Sequence, residues 1–355
     1  MVAVYVSSVR DFAGKNVFCL GLGRKLREDG LKVAYMKPYG VRPLKVGDEY
    51  TDADAWMINQ FLELKQTPKQ CCPVLRTQDL LAKTFSGQAG DLFSVVKSQF
   101  KELSKGKDVM LLGGAGTLRS GAMLGLQGYD LVLKLGAKAV LVDRYESDFL
   151  LDDLFTAAGI LKENLAGVVI NGVDLQMSDA LEEQIIPFLA QAGIKTLGMI
   201  PKDELLSAVS VQELADTFQA KTLTGLDHMQ RLVSRFFIGA MQVSHASRFF
   251  RGARDFGCIV GGDRPDMQTA AIESGAACLV LTGGFYPGEI ILNRAEEHEV
   301  PVLMVRGDTL TIARQLDLVL KRGSLSQPEK IDRAMKLVKE GVDFAALYES
   351  LGISV

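Results

Sequence analysis

Gly14-Lys15-Asn16 stands between a short apolar run, Val2–Val6, and an amphipathic stretch from Asn16 to Asp29. A loop at such a junction aims backbone N–H groups and the positive end of a helix at an anion, and a lysine within it reaches the outer phosphates of a nucleotide. A full phosphate loop opens on glycine and follows its lysine with Ser or Thr, the hydroxyl of which ligates magnesium. Here the first position falls on Ser8 or Val9 and the last on Asn16. Asn16 can cap a helix through its side-chain oxygen, but it brings no charge to a metal. Taken alone, Gly14-Lys15 also reads as a turn followed by a solvated lysine.

Other groups of the same chemical kind recur at the ends of apolar runs. Met36-Lys37-Pro38-Tyr39-Gly40 is followed by Thr51-Asp52-Ala53-Asp54, a cation and two carboxylates suited to phosphate and metal. Leu112-Gly113-Gly114-Ala115-Gly116-Thr117 offers a backbone that a ligand can approach closely, and Val168-Val169-Ile170 runs into Asn171-Gly172. Each has a plainer alternative. Lys37-Pro38 can simply stop a strand, Asp52 and Asp54 can favour the start of the helix through Trp56, and Asn171-Gly172 is a turn dipeptide in its own right.

The elements that would position these groups follow from periodicity. Val2–Val6, a helix over Asn16–Asp29 and Leu31–Met36 make a βαβ opening. Further apolar runs at Val109–Leu112, Ala139–Val142, Gly167–Ile170 and Ile194–Met199, mostly separated by helix-length connections, predict a largely parallel sheet covered on both faces. Loops at the carboxyl ends of such strands gather on one edge, where ligands bind. At 355 residues the chain is long enough for about two domains.

With this order of motifs, residues 1–203 resemble dethiobiotin synthetase and the related P-loop amidoligases, and most closely the synthetase-like N-terminal domain of long phosphotransacetylases. The resemblance implies that Gly14, Lys15, Asn16, Lys37 and Gly114 bind a nucleotide, with Lys15 on its phosphates and Lys37 across the site, that Asn171 faces the base, and that Asp52 or Asp54 approaches a metal ion. ATP or another nucleotide, with Mg2+, would be the cofactors. Two departures stand out: active synthetases carry Ser or Thr where this chain has Asn16, and an acidic residue where it has Gly113. Phosphoryl chemistry depends on ion placement and charge neutralisation, so the missing pair argues against turnover and leaves nucleotide or anion binding open.

Beyond residue 203 the pattern resets. Phe256–Val260, Asp266–Glu273, Ala277–Leu281, Gly288–His298, Val302–Val305 and Thr309–Leu320 alternate as three βα units, a second and smaller α/β domain over residues 204–325. Asp263-Arg264 and Thr282-Gly283-Gly284 at its strand ends are similar to the elements that name the DRTGG domain. That resemblance implies a dimerising or ligand-sensing module; read physically, Arg264 at a strand end offers a forked donor to carboxylate or phosphate. Helix capping and tight turns by Asp263 or Asp266, Pro265, Thr309 and the glycines account for the same letters. After Gly323 the stretch SLSQPEK leads into a charged helix over Ile331–Lys339 and a short companion over Phe344–Leu351, a helical tail of residues 326–355 with the size of an appendage.

The expected fold class is thus α/β: a parallel-sheet P-loop domain, a smaller DRTGG-like α/β domain and a short helical tail. A formal net charge of −3 supplies no field for nucleic acid, and the longest uncharged stretch is too short to span a membrane. Cys19, Cys71, Cys72, Cys258 and Cys278 form no metal or disulfide pattern. With no basic leader at the N-terminus, a cytoplasmic location is expected. His228, His245 and His298 are scattered and form no catalytic constellation. The chain ends at Val355 without the catalytic domain of long phosphotransacetylases. The expected function is therefore a regulatory or accessory ligand-binding protein, a homodimer with an acetyl-transfer enzyme as partner. An ATP-dependent carboxylate ligase and a structural subunit are the alternatives.

Overall fold

A computed structural model of the chain describes residues 1–322, 325 and 327–354. Gly323, where the sequence suggests that the chain resets, lies outside the described residues, as do Ser324, Ser326 and Val355. Contacts divide the chain into two compact units, Met1–Lys202 with Leu325–Val355, and Asp203–Ser324.

In the first unit β1 (Val2–Ser7), β2 (Val33–Met36), β3 (Val109–Gly113), β4 (Lys138–Asp143), β5 (Leu165–Val173) and β6 (Thr196–Pro201) form one sheet in the order β6-β5-β4-β1-β3-β2. Every pairing is parallel. Runs such as Val109–Gly113 are buried along their whole length, as a strand covered on both faces requires. With β2 and β3 on one side of β1 and β4 to β6 on the other, the chain reverses direction across the sheet at β1. Such a reversal opens a crevice above the strands' carboxyl ends.

Helix α1 (Lys15–Glu28) follows β1. Its N-cap Gly14 has φ +97°, a conformation that side chains disfavour, while Lys25 and Arg27 suit the negative end of the helix. A Cβ on Gly21 would lie 2.3 Å from the Cβ of Val338, so this glycine lets the helix Pro328–Gly341 approach α1 closely. Around that contact Lys339 Nζ lies 3.2 Å from Glu28 Oε2, the Tyr348 hydroxyl donates to Asp29 Oδ2 at 2.7 Å, and Val342 forms an antiparallel bridge to Gly198 of β6. The C-terminal helices are therefore part of the first unit rather than an appendage. Ile331, Ala334, Leu337 and Val338 form an apolar stripe that is buried there, and leaving it in water would oppose folding.

In the second unit β7 (Lys221–Thr224), β8 (Arg235–Ile238), β9 (Phe256–Gly261), β10 (Cys278–Thr282) and β11 (Val302–Met304) order as β7-β11-β10-β9-β8, with β7 alone antiparallel. The three expected βα units are β9 to β11 with the helices Pro265–Glu273, Glu289–Glu297 and Thr309–Arg322. Strands β7 and β8 extend that sheet at both edges. Their basic residues mask them in sequence, because an edge strand tolerates charge; β8 is anchored by Phe237, which packs edge-on against Phe250 and Phe256 at 5.5 and 5.4 Å. Among the described residues no helix is long and apolar enough to cross a membrane.

Candidate functional site

The carboxyl ends of β1, β2 and β5 bring Lys15, Lys37 and Asn171 to one edge of the first unit. The loop between β1 and α1 is fixed from several sides. Asn171, at the end of β5, donates through Nδ2 to the carbonyl of Ala13 at 2.8 Å, and a Cβ on Gly14 would lie only 2.0 Å from that nitrogen. Asn171 thus holds the loop by its backbone, and Gly14 is the residue that permits the approach. Gly114, after β3, donates its N–H to the carbonyl of Val6 at 2.8 Å and faces the buried Ser7 hydroxyl, which has no hydrogen-bond partner.

Asp143, at the end of β4, was not singled out from the sequence. Its carboxylate accepts from the backbone N–H of Val9 and of Arg10, both at 3.0 Å, and so anchors the start of the loop. Burial pushes its pKa up to about 7, against the pull of those two N–H groups and of Lys15. The only sequence signal was an acid closing the apolar run Ala139–Val142. Lys15 bonds through Nζ to Ser8 Oγ at 2.7 Å. Burial brings its pKa down to about 8, opposed by Asp143 and Asp11 and reinforced by the charge of Lys37.

Lys37 is 4% exposed and donates to Asp52 Oδ1 at 2.8 Å and to Asp54 Oδ2 at 3.1 Å. Burial works against its ammonium, but the charges of Asp54 and Asp52 and the hydrogen bonds to both outweigh it and raise its pKa. Asp52 is also the N-cap of the helix Ala53–Phe61. Its Oδ1 accepts from the N–H groups of Asp54 and Ala55 at 3.0 and 3.2 Å, and its Oδ2 from Val41 and Arg42 at 2.9 Å each. Asp54 pairs in addition with Arg42 Nη1 at 2.5 Å. Burial alone would lift the Asp54 pKa; Lys37, Arg42 and Asn16 bring it below its ordinary value.

These residues do not fit the magnesium ion that the resemblance implies. Both oxygens of Asp52 are engaged by five N–H donors, and each oxygen of Asp54 faces a cation. Where an acidic side chain would stand, Gly113 has none, and a Cβ there would lie 2.3 Å from the Tyr35 hydroxyl. Among the described residues no group of three or more His, Cys, Asp or Glu is placed to hold a metal ion. Asp52, expected with Asp54 to approach a metal, is here a helix cap and a partner of Lys37.

In the second unit Thr282 Oγ1 and Thr309 Oγ1 lie 2.7 Å apart, joining the end of β10 to the start of the helix Thr309–Arg322. Gly283 and Gly284, with φ +83° and +70°, donate their N–H groups to the carbonyls of Gly307 and Val305 at 2.9 Å each. Arg264 forks onto its near neighbour Asp266, Nε to Oδ1 at 3.0 Å and Nη2 to Oδ2 at 3.1 Å. Asp263 does not cap the helix Pro265–Glu273, whose N-cap is Arg264 with no side-chain cap bond; its Oδ1 would lie 2.4 Å from a Cβ on Gly261. The last helix is capped by Asp308, which accepts from Thr311 N at 3.0 Å, rather than by Thr309. Gln268, buried behind this edge, donates to the carbonyl of Gly261 at 3.0 Å, while its Oε1 is buried without a partner.

Comparison with known proteins divides the chain in a similar way. A family model described as AAA domain matches residues 2–210, and one described as DRTGG domain matches residues 213–319. The chain is similar to the phosphate acetyltransferase of Pseudomonas aeruginosa, 24% identical over 366 residues that cover 96% of this chain and 50% of that protein. It is also similar to that of Nitrosomonas europaea, 25% identical over 370 residues, covering 99% and 52%. The chain spans about half the length of these curated relatives, matching their N-terminal region. Among solved structures it is similar to the CBS and DRTGG domains of the regulatory region of Clostridium perfringens pyrophosphatase, complexed with the activator diadenosine tetraphosphate. That likeness is 18% identical, covers 46% of this chain and 78% of the other, and has a TM-score of 0.30.

Proposed function

We propose, from the premise that the chain belongs to the AAA domain family through residues 2–210, that it is a regulatory nucleotide-binding protein rather than a phosphoryl-transfer enzyme. The observation that carries this reading is the convergence of Lys15, Asn16, Lys37 and Asp54 at the start of α1, where the groups that metal-assisted catalysis needs are missing or otherwise engaged. Lys15 and the helix N-terminus supply positive charge to a polyphosphate. Asn171 holds the loop in shape through Ala13. Catalysis needs charge stabilisation aimed at the transferring group, and Asp52 and Asp54 are already neutralised by Lys37 and Arg42.

The second unit, with its DRTGG domain, is the sensing half of this reading. There Asp263, Arg264, Thr282, Gly283 and Gly284 line the strand ends, and Arg264 exchanges Asp266 for an anionic ligand. As a regulatory region it works in a cytoplasm, as a homodimer, on an acetyl-transfer enzyme; the similarity to the N-terminal region of phosphate acetyltransferases supports this choice of partner. Sedimentation at micromolar concentration and co-purification from native extract test those two assignments.

Thermal unfolding with ATP, ADP and GTP, in the parent and in Lys15→Ala, tests the nucleotide site. Ligand at about 100 times its dissociation constant should stabilise the fold by about 2.7 kcal/mol, and Lys15→Ala should lose the shift. The absence of any shift would refute nucleotide binding, and ATP hydrolysis that disappears in Lys15→Ala would restore the ligase reading.

A further inference from the structure

We infer that the ammonium of Lys37 stands in for a divalent cation, so that this site takes the polyphosphate of a nucleotide without magnesium. The inference rests on the nucleotide reading above and goes beyond it by naming the charge carrier. Lys37 holds both carboxylates that a metal would need, Asp52 Oδ1 at 2.8 Å and Asp54 Oδ2 at 3.1 Å. A metal ion could enter only by expelling it. Asp52 cannot turn aside, because four backbone N–H groups, those of Val41, Arg42, Asp54 and Ala55, fix its two oxygens. Expulsion would strand an ammonium that is 4% exposed without its partners, a strongly unfavourable state.

The same contacts show why Lys37 belongs to the phosphate loop. Asn16, next in sequence to Lys15, stands near enough to Asp54 to help lower its pKa, and Lys37 holds that same carboxylate. The charge of Lys37 is felt at Lys15 and at Cys19 one helical turn further on. An ammonium has three donors. Two are taken by Asp52 and Asp54, which leaves one for a phosphate oxygen. Lys15, whose hydrogen bond is to the neutral Ser8 hydroxyl, is the second cation. Gly113 completes the arrangement, since the Tyr35 hydroxyl fills the space where a metal-ligating side chain would begin.

The test is equilibrium binding of ATP to the full chain by titration calorimetry, in excess EDTA and in excess magnesium. ATP should bind in EDTA at least as tightly as with magnesium. The matched pair Lys37→Met with Asp52→Asn removes one charge of each sign, so the variant keeps the charge balance of the pocket and retains a capping side chain at residue 52. Its affinity should fall by about tenfold or more, the loss expected for one charge-assisted hydrogen bond. Binding that requires magnesium would overturn this inference and leave nucleotide binding standing, as would an unchanged affinity in the folded double variant. No binding in either buffer would overturn both.

Discussion

Replacing Gly113 by alanine adds a single methyl, and its effect on stability should reverse sign with the residue at position 35. Glycine inside a strand is about 0.5–1 kcal/mol worse than alanine where space is free. Here the added Cβ would lie 2.3 Å from the Tyr35 hydroxyl, 3.1 Å from Cζ and 3.3 Å from Cε2. Tyr35 is 1% exposed and its strand is held by Gln66, whose side chain bonds the Tyr35 N–H and carbonyl at 3.0 and 2.6 Å, so it has little room to yield. Overpacking of this kind costs about 1–3 kcal/mol, and Gly113→Ala should destabilise the first unit by that amount. In Tyr35→Phe the 2.3 Å contact is gone and the remaining ring distances relax within a few tenths of an ångström. The cost of Gly113→Ala should then fall to about zero or become a gain, a coupling of about 1–3 kcal/mol. Urea unfolding followed by tryptophan fluorescence measures this on the right unit, because Trp56 is the one tryptophan of the chain and lies in the first unit. Equal costs in the two backgrounds, within about 0.5 kcal/mol, would mean that Tyr35 does not occupy the space in front of Gly113, and the account of the missing acid would fail with it.

Three further expectations use the same fluorescence readout. Asp52→Ala should cost about 3 kcal/mol or more, because it leaves Lys37 buried with one partner fewer and uncaps the helix Ala53–Phe61; Asp52→Asn should cost clearly less. Asp143 has a folded pKa of about 7, above its unfolded value of about 3.9, so the folded state holds the proton more tightly. Its contribution to stability is therefore complete below about pH 4 and lost as the pH rises to about 7, by up to about 1.4 kcal/mol per pH unit. Asp143→Asn should flatten that decline, and an unchanged slope would remove Asp143 as its source. Finally, Gly21→Ala should destabilise by about 1–3 kcal/mol through the 2.3 Å approach to Val338, and Val338→Ala should recover most of that loss; a silent Gly21→Ala would detach the C-terminal helix from α1.

The sheet was legible because buried parallel strands write themselves as unbroken apolar runs, as in Val109–Gly113 and Lys138–Asp143. Lys15, Lys37, Asp54 and Asn171 were legible for a related reason: groups that end such runs must share one edge of the sheet. What the sequence withheld was pairing across long separations. Asp143 reaches back 134 positions to bond the N–H of Val9, and nothing local at Asp143 marks that partner. Tyr35 reads as one more apolar strand residue until the fold sets its hydroxyl against Gly113. The helix Pro328–Gly341 looked detached because its charged residues outnumber the four that make its buried stripe, and its partner glycine lies some three hundred positions earlier. Asp52 reads in sequence both as a helix-start acid and as a metal ligand, and only the folded structure shows it capping the helix through the N–H groups of Asp54 and Ala55 while it holds Lys37.

The departures at Asn16 and Gly113 gain force from being mutually consistent. A loop that had merely lost one magnesium ligand would leave its remaining carboxylates short of positive charge, and like charges in a buried pocket repel strongly. Here Arg42 and Lys37 neutralise both carboxylates, Asn16 helps to keep the Asp54 pKa low, and Tyr35 closes the space before Gly113. Restoring one ligand, as in Asn16→Thr, frees no oxygen of Asp54 for a metal, because Lys37 and Arg42 still hold both. Such a single change should therefore leave ATP binding independent of magnesium, and a metal dependence acquired by Asn16→Thr alone, read by calorimetry in EDTA against magnesium, would show that the pocket is a metal site that lacks one hydroxyl.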